Sequence, residues 1–290
     1  MKILIVIAVS LVFFVLLEIY RELHCFKVTH YWIRLPRLSG DSGEKSILYL
    51  SDLHNHEYGR DNRKLLKAVE EAHPDLILVG GDMLVGKAGH DYRTALEFVK
   101  RLVSFCPVYY ANGNHEQRMK ERPARYKYSY ADYRRELQDA GVIFLENESA
   151  EVSLDVESEK KTARITGLEI PLDCYTHFQK GKLEPGEIRS RIGGCEGEAC
   201  QILMAHNPSY VKEYVEWGAD LILCGHLHGG IVRIPGLTGL ITPALEWFPK
   251  YSGDLYYEGD KVIVVSKGLG THTINLRFLN PAEVVVLHVM

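Results

Sequence analysis

Aspartate, asparagine and histidine recur in this sequence where short apolar runs stop. ILYL (47–50) runs into Ser51-Asp52-Leu53-His54-Asn55-His56, and LILV (76–79) into Gly80-Gly81-Asp82. VYYA (108–111) is followed by Asn112-Gly113-Asn114-His115-Glu116, ILMA (202–205) by His206-Asn207-Pro208, and LILC (221–224) by Gly225-His226-Leu227-His228-Gly229-Gly230. Each tip alone has an ordinary explanation. An Asp after a strand often caps a helix by accepting an orphan backbone N–H, and a lone His is commonly a structural residue. The conjunction is more specific: Asp52, Asp82, Asn114, His54, His206, His226 and His228 all sit at strand exits. A mixed set of imidazole, carboxylate and amide oxygen suits zinc, manganese or iron better than calcium. Seven donors are too many for one tetrahedral ion and suit two ions sharing a carboxylate. Two metals about 3.5–4 Å apart lower the pKa of a water and clamp a phosphoryl group.

The elements that must carry these tips alternate. KLLKAVEEA (64–72) puts Leu65, Leu66, Val69 and Ala72 at helical spacing, and TALEFVKRLV (94–103) does the same with Leu96, Val99, Leu102 and Val103. A helix around 130–141 separates the runs 107–111 and 142–145. Strands alternating with helices imply crossover connections and a largely parallel sheet, whose ligand sites gather at the carboxyl ends of the strands. EVSLDV and TARITGL around the turn ESEKK read as an antiparallel hairpin, residues 173–200 as polar loop, and QILMA, YVKEYVEWG, LILC, KVIVVSKG and AEVVVLHV as a second alternating half. PDLILVGGD (74–82) and ADLILCGH (219–226) echo one another, so two such halves predict an α/β fold: a two-sheet sandwich flanked by helices.

The chain of 290 residues is long enough for one domain with a sizeable core. Its hydrophobic (46%) and charged (25%) fractions are those of a globular protein, which excludes a disordered chain. A formal charge of −4 supplies no basic field for a nucleic-acid backbone, so no nucleic-acid partner is expected. Residues 1–20 are a separate matter. Ile3 to Leu17 is apolar except for Ser10, and no small-residue cleavage pattern follows before Glu18. This reads as an uncleaved, single-pass N-terminal anchor, followed by a connector over 21–45 in which HYWIRLPRL is a candidate edge strand. Arg21, Lys27, Arg34 and Arg37 after the anchor favour a cytoplasmic domain by the positive-inside rule. Of the six cysteines, Cys195 and Cys200 sit in a Gly- and Glu-rich loop and could pair on an oxidising side; Cys106 and Cys224 read as buried small hydrophobes.

Taken in order, D-x-H (Asp52, His54), G-D (Asp82), G-N-H-E (Asn114, His115), a later His206 and G-H-x-H (His226, His228) resemble the calcineurin-like metallophosphoesterases over residues 46–290. SDLHN, LCGHLHGG, LEWFPKYSGDLY and VVSKGLG together are similar to a bacterial membrane-associated phosphodiesterase subgroup. The resemblance implies that Asp52, His54 and His228 hold one divalent ion (Mn, Zn or Fe), that Asn114, His206 and His226 hold a second, and that Asp82 bridges them. It implies a metal-bridging hydroxide as nucleophile, with His115 protonating the leaving oxygen or stabilising developing charge. It also implies a phosphorylated small-molecule or lipid substrate, such as UDP-diacylglucosamine, cleaved by a phosphodiesterase or pyrophosphatase, and relatives that often face outward. Against the flanking charges, that leaves the side of the membrane open. The alternative reading is a membrane-anchored, metal-binding scaffold or sensor. One departure stands out: where the family often has G-D-x-x-D, this chain has Val85 in place of the second acid. Asn55 and His56 could reach a phosphate or merely hold their loop, Trp247 and Phe248 could wall a lipid-like leaving group, and Lys250, Tyr251 and Arg277 read by default as surface residues.

Overall fold

Period-two alternation in the apolar runs decides the layering, because successive side chains of a strand point to opposite faces. The computed structural model describes residues 1–38, 45–154, 161–176, 181–184, 186–234, 239–242, 247–271 and 274–290. Helix α1 (Lys2–His24) leads into β1 (Phe26–Ile33) and β2 (Lys45–Leu50). Then follow α2 (Arg63–Ala72), β3 (Leu76–Val79), α3 (Arg93–Leu102), β4 (Val108–Tyr110), α4 (Asn114–Glu121), α5 (Tyr130–Asp139) and β5 (Ile143–Phe144). The second half runs β6 (Ser149–Ser153), β7 (Thr162–Leu168), α6 (Glu187–Ile192), β8 (Cys200–Ala205), α7 (Val211–Trp217) and β9 (Leu221–Cys224). A short pair, β10 (Val232–Arg233) and β11 (Gly239–Ile241), precedes β12 (Asp254–Glu258), β13 (Lys261–Val265) and β14 (Ala282–Val289).

Two six-stranded sheets result, ordered β1-β14-β2-β3-β4-β5 and β12-β13-β9-β8-β7-β6. From β2 to β5 the first sheet is parallel, as is the β7-β8-β9-β13 centre of the second. Ile47, Tyr49, Leu76 and Leu78 face inward and meet Ile202, Met204, Leu221 and Leu223 of the other sheet. The alternate residues Leu48, Leu50, Ile77 and Val79 face out onto α2, α3 and α5. Ile222 and Cys224 face the layer that includes α6 and α7. The echoed segments 74–82 and 219–226 thus occupy equivalent central strands, β3 and β9, one in each sheet.

Most elements fall where periodicity puts them, and the differences have local causes. Within the connector, the edge strand expected over HYWIRLPRL is found, but it spans residues 26–33, starting four residues earlier, and pairs in parallel with β14 along its whole length to close the edge of the first sheet. Ile188 and Ile192, four residues apart, bury one face of α6 within the stretch expected to be loop. β6 and β7 are antiparallel; most of the expected turn ESEKK lies outside the described residues. All six cysteines are free. Instead of pairing with Cys200, Cys195 donates its thiol to the Trp217 carbonyl (2.8 Å).

Helix α1 stands apart from this body. Its 23 residues have a mean hydropathy of 2.9 over the most apolar window, none of which is buried in the protein. Ile3 is 76%, Phe13 67% and Leu17 55% exposed. At 1.5 Å per residue α1 is about 34 Å long, enough to cross a hydrocarbon core of about 30 Å.

Candidate metal centre

The five tips converge between the two sheets at the carboxyl ends of β2, β3, β4, β8 and β9. Asp52, His54 and His228 bring one donor atom each within 4.8 Å of the others, and so do Asp82, His206 and His226; a third such group is His54, Asp82 and His115. His206 Nε2 lies 3.2 Å from Asp82 Oδ2 and 3.6 Å from Asp52 Oδ1. His54 Nε2 lies 3.8 Å from Asp52 Oδ1 and 3.9 Å from Asp82 Oδ2. The Asn114 amide oxygen faces His226 Nδ1 at 3.0 Å and Asp82 Oδ2 at 3.3 Å. Asp82 therefore stands between the two groups.

Backbone conformation makes this convergence possible. Asp52, His54, Asn55, Asp82, His226 and His228 all have φ between +48° and +69°, the left-handed region. Asp, Asn and His tolerate it better than most side chains, and such strain collects at functional sites. Two glycines let the turns touch: a β-carbon on Gly81 would lie 1.9 Å from the Gly113 nitrogen, and one on Gly113 would lie 2.2 Å from Asp82 Oδ1.

The donor set fits divalent cations on chemical grounds. His206 Nδ1 donates to the Gly80 carbonyl (2.8 Å), and His228 Nδ1 to that of Gly270 (3.0 Å). With Nδ1 carrying a hydrogen, each Nε2 turns a lone pair inward unless it is protonated. His228 Nε2 so faces His54 Nε2 at 3.3 Å and Asp52 Oδ1 at 3.6 Å. Lone pairs aimed at carboxylates and at one another need a proton or a cation between them. Burial would lower the His206 imidazole, but the Asp82 and Asp52 charges outweigh it and hold the ring protonated up to about 10. Burial would raise both carboxyls; His206 and His228 hold Asp52 well below the ordinary range, and His206 and His115 do so for Asp82. As ligand, the Asn114 oxygen points inward. Turned over, its amide would instead donate to His226 and Asp82 and accept from Arg118.

His115 is the buried second residue of α4. Its backbone N–H donates to Asp82 Oδ1 (2.8 Å), while its Nδ1 accepts the Gly86 N–H (2.8 Å). That acceptor role places the proton of the neutral ring on Nε2, which faces Asp82 Oδ2 at 3.9 Å. The missing acid at Val85 thus leaves His115 oriented, by a backbone donor one residue later.

The family profile of calcineurin-like phosphoesterases matches residues 45–230. The chain belongs to this family. It is 25% identical to the uncharacterised metallophosphoesterase YkuE of Bacillus subtilis, over 92% of this chain and 86% of that protein. It is 24% identical to the phosphodiesterase YaeI of Escherichia coli, over 82% and 80% of the two chains. A Danio rerio transmembrane protein with a metallophosphoesterase domain is 25% identical over 89% of this chain and 56% of its own. This calcineurin-like phosphoesterase is accordingly a metal-dependent phosphoester hydrolase.

Several residues around the phosphoesterase centre carried no assigned role in the sequence. Glu116, buried, accepts the N–H groups of Asp82 (2.8 Å), Met83 (2.9 Å) and Gly113 (3.2 Å) and the Tyr110 hydroxyl (2.8 Å). Burial first, then the Asp82 charge, pushes its carboxyl up to about 7; its only signal was its place in G-N-H-E. Asn280 donates to the carbonyls of His228 (2.7 Å) and Gly230 (2.5 Å). Arg277, read as a surface residue, is fully buried and clamps the carbonyls of Lys267 (2.7 Å), Gly268 (3.2 Å), Gly270 (2.9 Å) and Asn280 (3.3 Å). Asn55 turns away from the centre to donate to the Asp91 carbonyl (2.6 Å). His56 packs edge-on to Tyr58.

Proposed function

We propose that this phosphoesterase is a membrane-anchored phosphodiesterase or pyrophosphatase with a two-ion centre. The ligands would be Asp52, His54 and His228 for one ion and Asn114, His206 and His226 for the other, with Asp82 shared; manganese, zinc and iron are the ions the donor set favours. The observation that carries the reading is Asp82's position between two donor groups, with His115 Nε2 directed at the same space. Bound ions supply charge neutralisation for a phosphoryl group and a nucleophile ionised near neutral pH. The chain supplies the rest. His115, held by Gly86, presents a proton to the leaving oxygen, and the buried carboxylates and imidazoles fix the phosphate against rotation.

YaeI's description as a phosphodiesterase supports the diester reading, and so does the space beside the centre. A cavity of about 430 Å³ is lined by Pro208, Leu227, Lys182, Lys250 and Tyr251. It offers apolar walls and the Lys182 ammonium to the alcohol or second phosphate of a diester, with the Lys250 ammonium at its rim held by Glu258 (2.5 Å), where a monoester would leave it unused. With α1 read as a membrane anchor, a lipid-linked phosphate such as UDP-diacylglucosamine is the substrate class that fits.

The test is hydrolysis of bis-aryl against mono-aryl phosphate by the full chain in detergent, after chelation and reloading with manganese or zinc. The full chain is needed because truncation near residue 40 removes β1 and Glu22. Reloading restores diester hydrolysis if the reading is right, and Asp82→Asn or His115→Ala abolishes it. Metal-independent activity refutes the mechanism, turnover of the monoester alone refutes the diester preference, and metal binding without hydrolysis of either ester establishes the scaffold.

A further inference from the structure

The protein carries a second apolar surface, and its position relates it to α1. Glu22, buried at the end of that helix, accepts the Asn280 N–H through Oε2 (2.7 Å). Asn280 in turn holds the carbonyls on either side of Gly229, in the loop of His226 and His228. The apolar helix therefore leaves the body beside the metal centre. From that docking point a succession of backbone pairings runs outward: Phe278 with Val232, Val232 with Ile241, and Ile241 with Trp247. At strand spacing these three steps span about 15 Å.

This layer and the segments that adjoin it in the chain expose large apolar side chains. Trp247 is 63%, Phe248 59%, Ile234 42% and Ile274 42% exposed. Lys250 and Tyr251 follow within four residues of Trp247. An indole, a phenyl ring and two isoleucines, with an ammonium and a phenol beside them, form the set that seeks the headgroup boundary of a bilayer.

We propose that this layer, carrying Ile234, Trp247, Phe248 and Ile274, is a second membrane contact that rests on the phospholipid surface beside the exit point of α1. The tie between this layer and the root of α1 selects the occupant. The Glu22–Asn280 bond fixes the end of α1 beside the layer, so with α1 read as the anchor a partner protein or a second copy would have to fit between the layer and the lipid. The contact has a consequence that rests on the phosphoesterase reading. The cavity lined by Pro249, Lys250 and Tyr251, which follow Trp247 and Phe248 in the chain, is also lined by Leu227, between the two histidines of the metal loop. A phosphodiester headgroup can then enter from the membrane while its acyl chains stay in the bilayer.

The test uses the full chain reconstituted in vesicles of phosphatidylcholine brominated near the headgroup end of its acyl chains, with phosphatidylglycerol as the minor component. The chain has three tryptophans, and Trp217 is buried. Brominated chains are expected to quench a component of the emission that disappears in Trp247→Phe. Equal quenching of the two proteins, or none, overturns the contact; an unquenched Trp247 in a cross-linked dimer assigns the layer to a second copy instead. The double variant Trp247→Ser/Phe248→Ser is expected to keep its turnover of soluble bis-aryl phosphate while KM for a vesicle-borne phosphodiester rises about tenfold. Quenching without hydrolysis by the wild type refutes the phosphoesterase reading and leaves the contact standing, whereas hydrolysis without quenching does the reverse.

Discussion

Replacing Glu116 tests whether the ligand-bearing turns are held from beneath or only by their own strands. Oε2 takes the N–H groups of Asp82 and Gly113, and Oε1 takes the Met83 N–H and the Tyr110 hydroxyl. Glu116→Gln keeps the shape and turns one acceptor into a donor. The amide nitrogen is best tolerated on the Oε1 side, where Tyr110 can rotate to accept from it and donate to the Tyr133 hydroxyl (3.1 Å). The Met83 N–H is then the one buried donor left without an acceptor, which costs about 1–3 kcal/mol. Glu116→Ala strands three backbone donors. Three times that range reaches about 9 kcal/mol, comparable with the whole stability of a domain, so glutamine is the informative variant.

Met83 follows Asp82 directly, so a relaxed turn moves a proposed ligand. Loss of such an outer partner lowers metal affinity by about 10–100-fold. Urea unfolding in chelator measures the first effect, and competition against a chelator during manganese titration measures the second. The sign with pH is also fixed. The Glu116 carboxyl rises from 4.5 to about 7 in the folded chain, so its native form favours the proton, and wild-type stability from this group erodes as pH climbs between those values. Glutamine lacks that slope, so the deficit of Glu116→Gln narrows as pH rises. An unchanged unfolding midpoint together with unchanged metal affinity would refute the clamp. A stability loss alone would reduce it to a fold element.

Gly113→Ala puts a β-carbon 2.2 Å from Asp82 Oδ1 and 2.6 Å from the Asp82 nitrogen; it should destabilise by at least the 1–3 kcal/mol or so of an overpacked core and lower metal occupancy, read by thermal unfolding and metal analysis. His206, raised from 6.5 to about 10 by Asp82 and Asp52 against its burial, contributes stability below 6.5 that is lost as pH rises toward 10. Chelated protein should lose stability over that window while metal affinity rises, up to about tenfold per pH unit from this ring alone, as calorimetry in buffers of different ionisation enthalpy can show. Arg277→Met frees four carbonyls from a buried guanidinium; a loss of at least about 1–3 kcal/mol, the cost of one buried acceptor left unsatisfied, is expected in urea unfolding, and Arg277→Lys should not rescue it, since an ammonium lacks the planar fork.

The legible part of this molecule is the part written in short range. Four-residue apolar runs flanked by Gly and Asp mark β3 and β9 because buried strands need no alternation, and the helices between them show their inward faces at i, i+3 and i+4. The donor residues were visible because polar groups at the ends of buried strands are out of place unless something uses them. What escaped depends on partners far away in the chain. Glu22 finds Asn280 across 258 residues, Asn280 finds His228 across 52, and neither residue type announces such a contact. Arg277 read as surface because arginine usually is, until four carbonyls enclose it. The bounds of β1, though not its edge position, were obscured for another reason: its residues are half-exposed and polar-interleaved, and its order comes from β14.

The left-handed conformations constrain how the centre can be probed. Asp52, His54, Asp82, His226 and His228 each serve as candidate ligand and as a residue with positive φ. Alanine at any of them removes the ligand and also places a side chain with no local hydrogen bond in a region disfavoured by about 1–2 kcal/mol per residue. An alanine scan would therefore read folding loss as loss of metal. Asparagine separates the two, because it tolerates the same backbone region and changes only the donor. Asp82→Asn keeps a residue that tolerates the turn but removes the charge that holds His206 protonated. In chelator it should therefore lose only that pairing, a deficit that shrinks as pH rises toward 10, and it should bind manganese more weakly and hydrolyse no diester. His115, inside α4 with ordinary helical backbone, carries no such penalty, and there alanine is the cleaner substitution. If Asp82→Ala and Asp82→Asn proved equally stable in chelator, the backbone at this tip would be unstrained, and the turn would owe its shape to Glu116 and Gly113 alone.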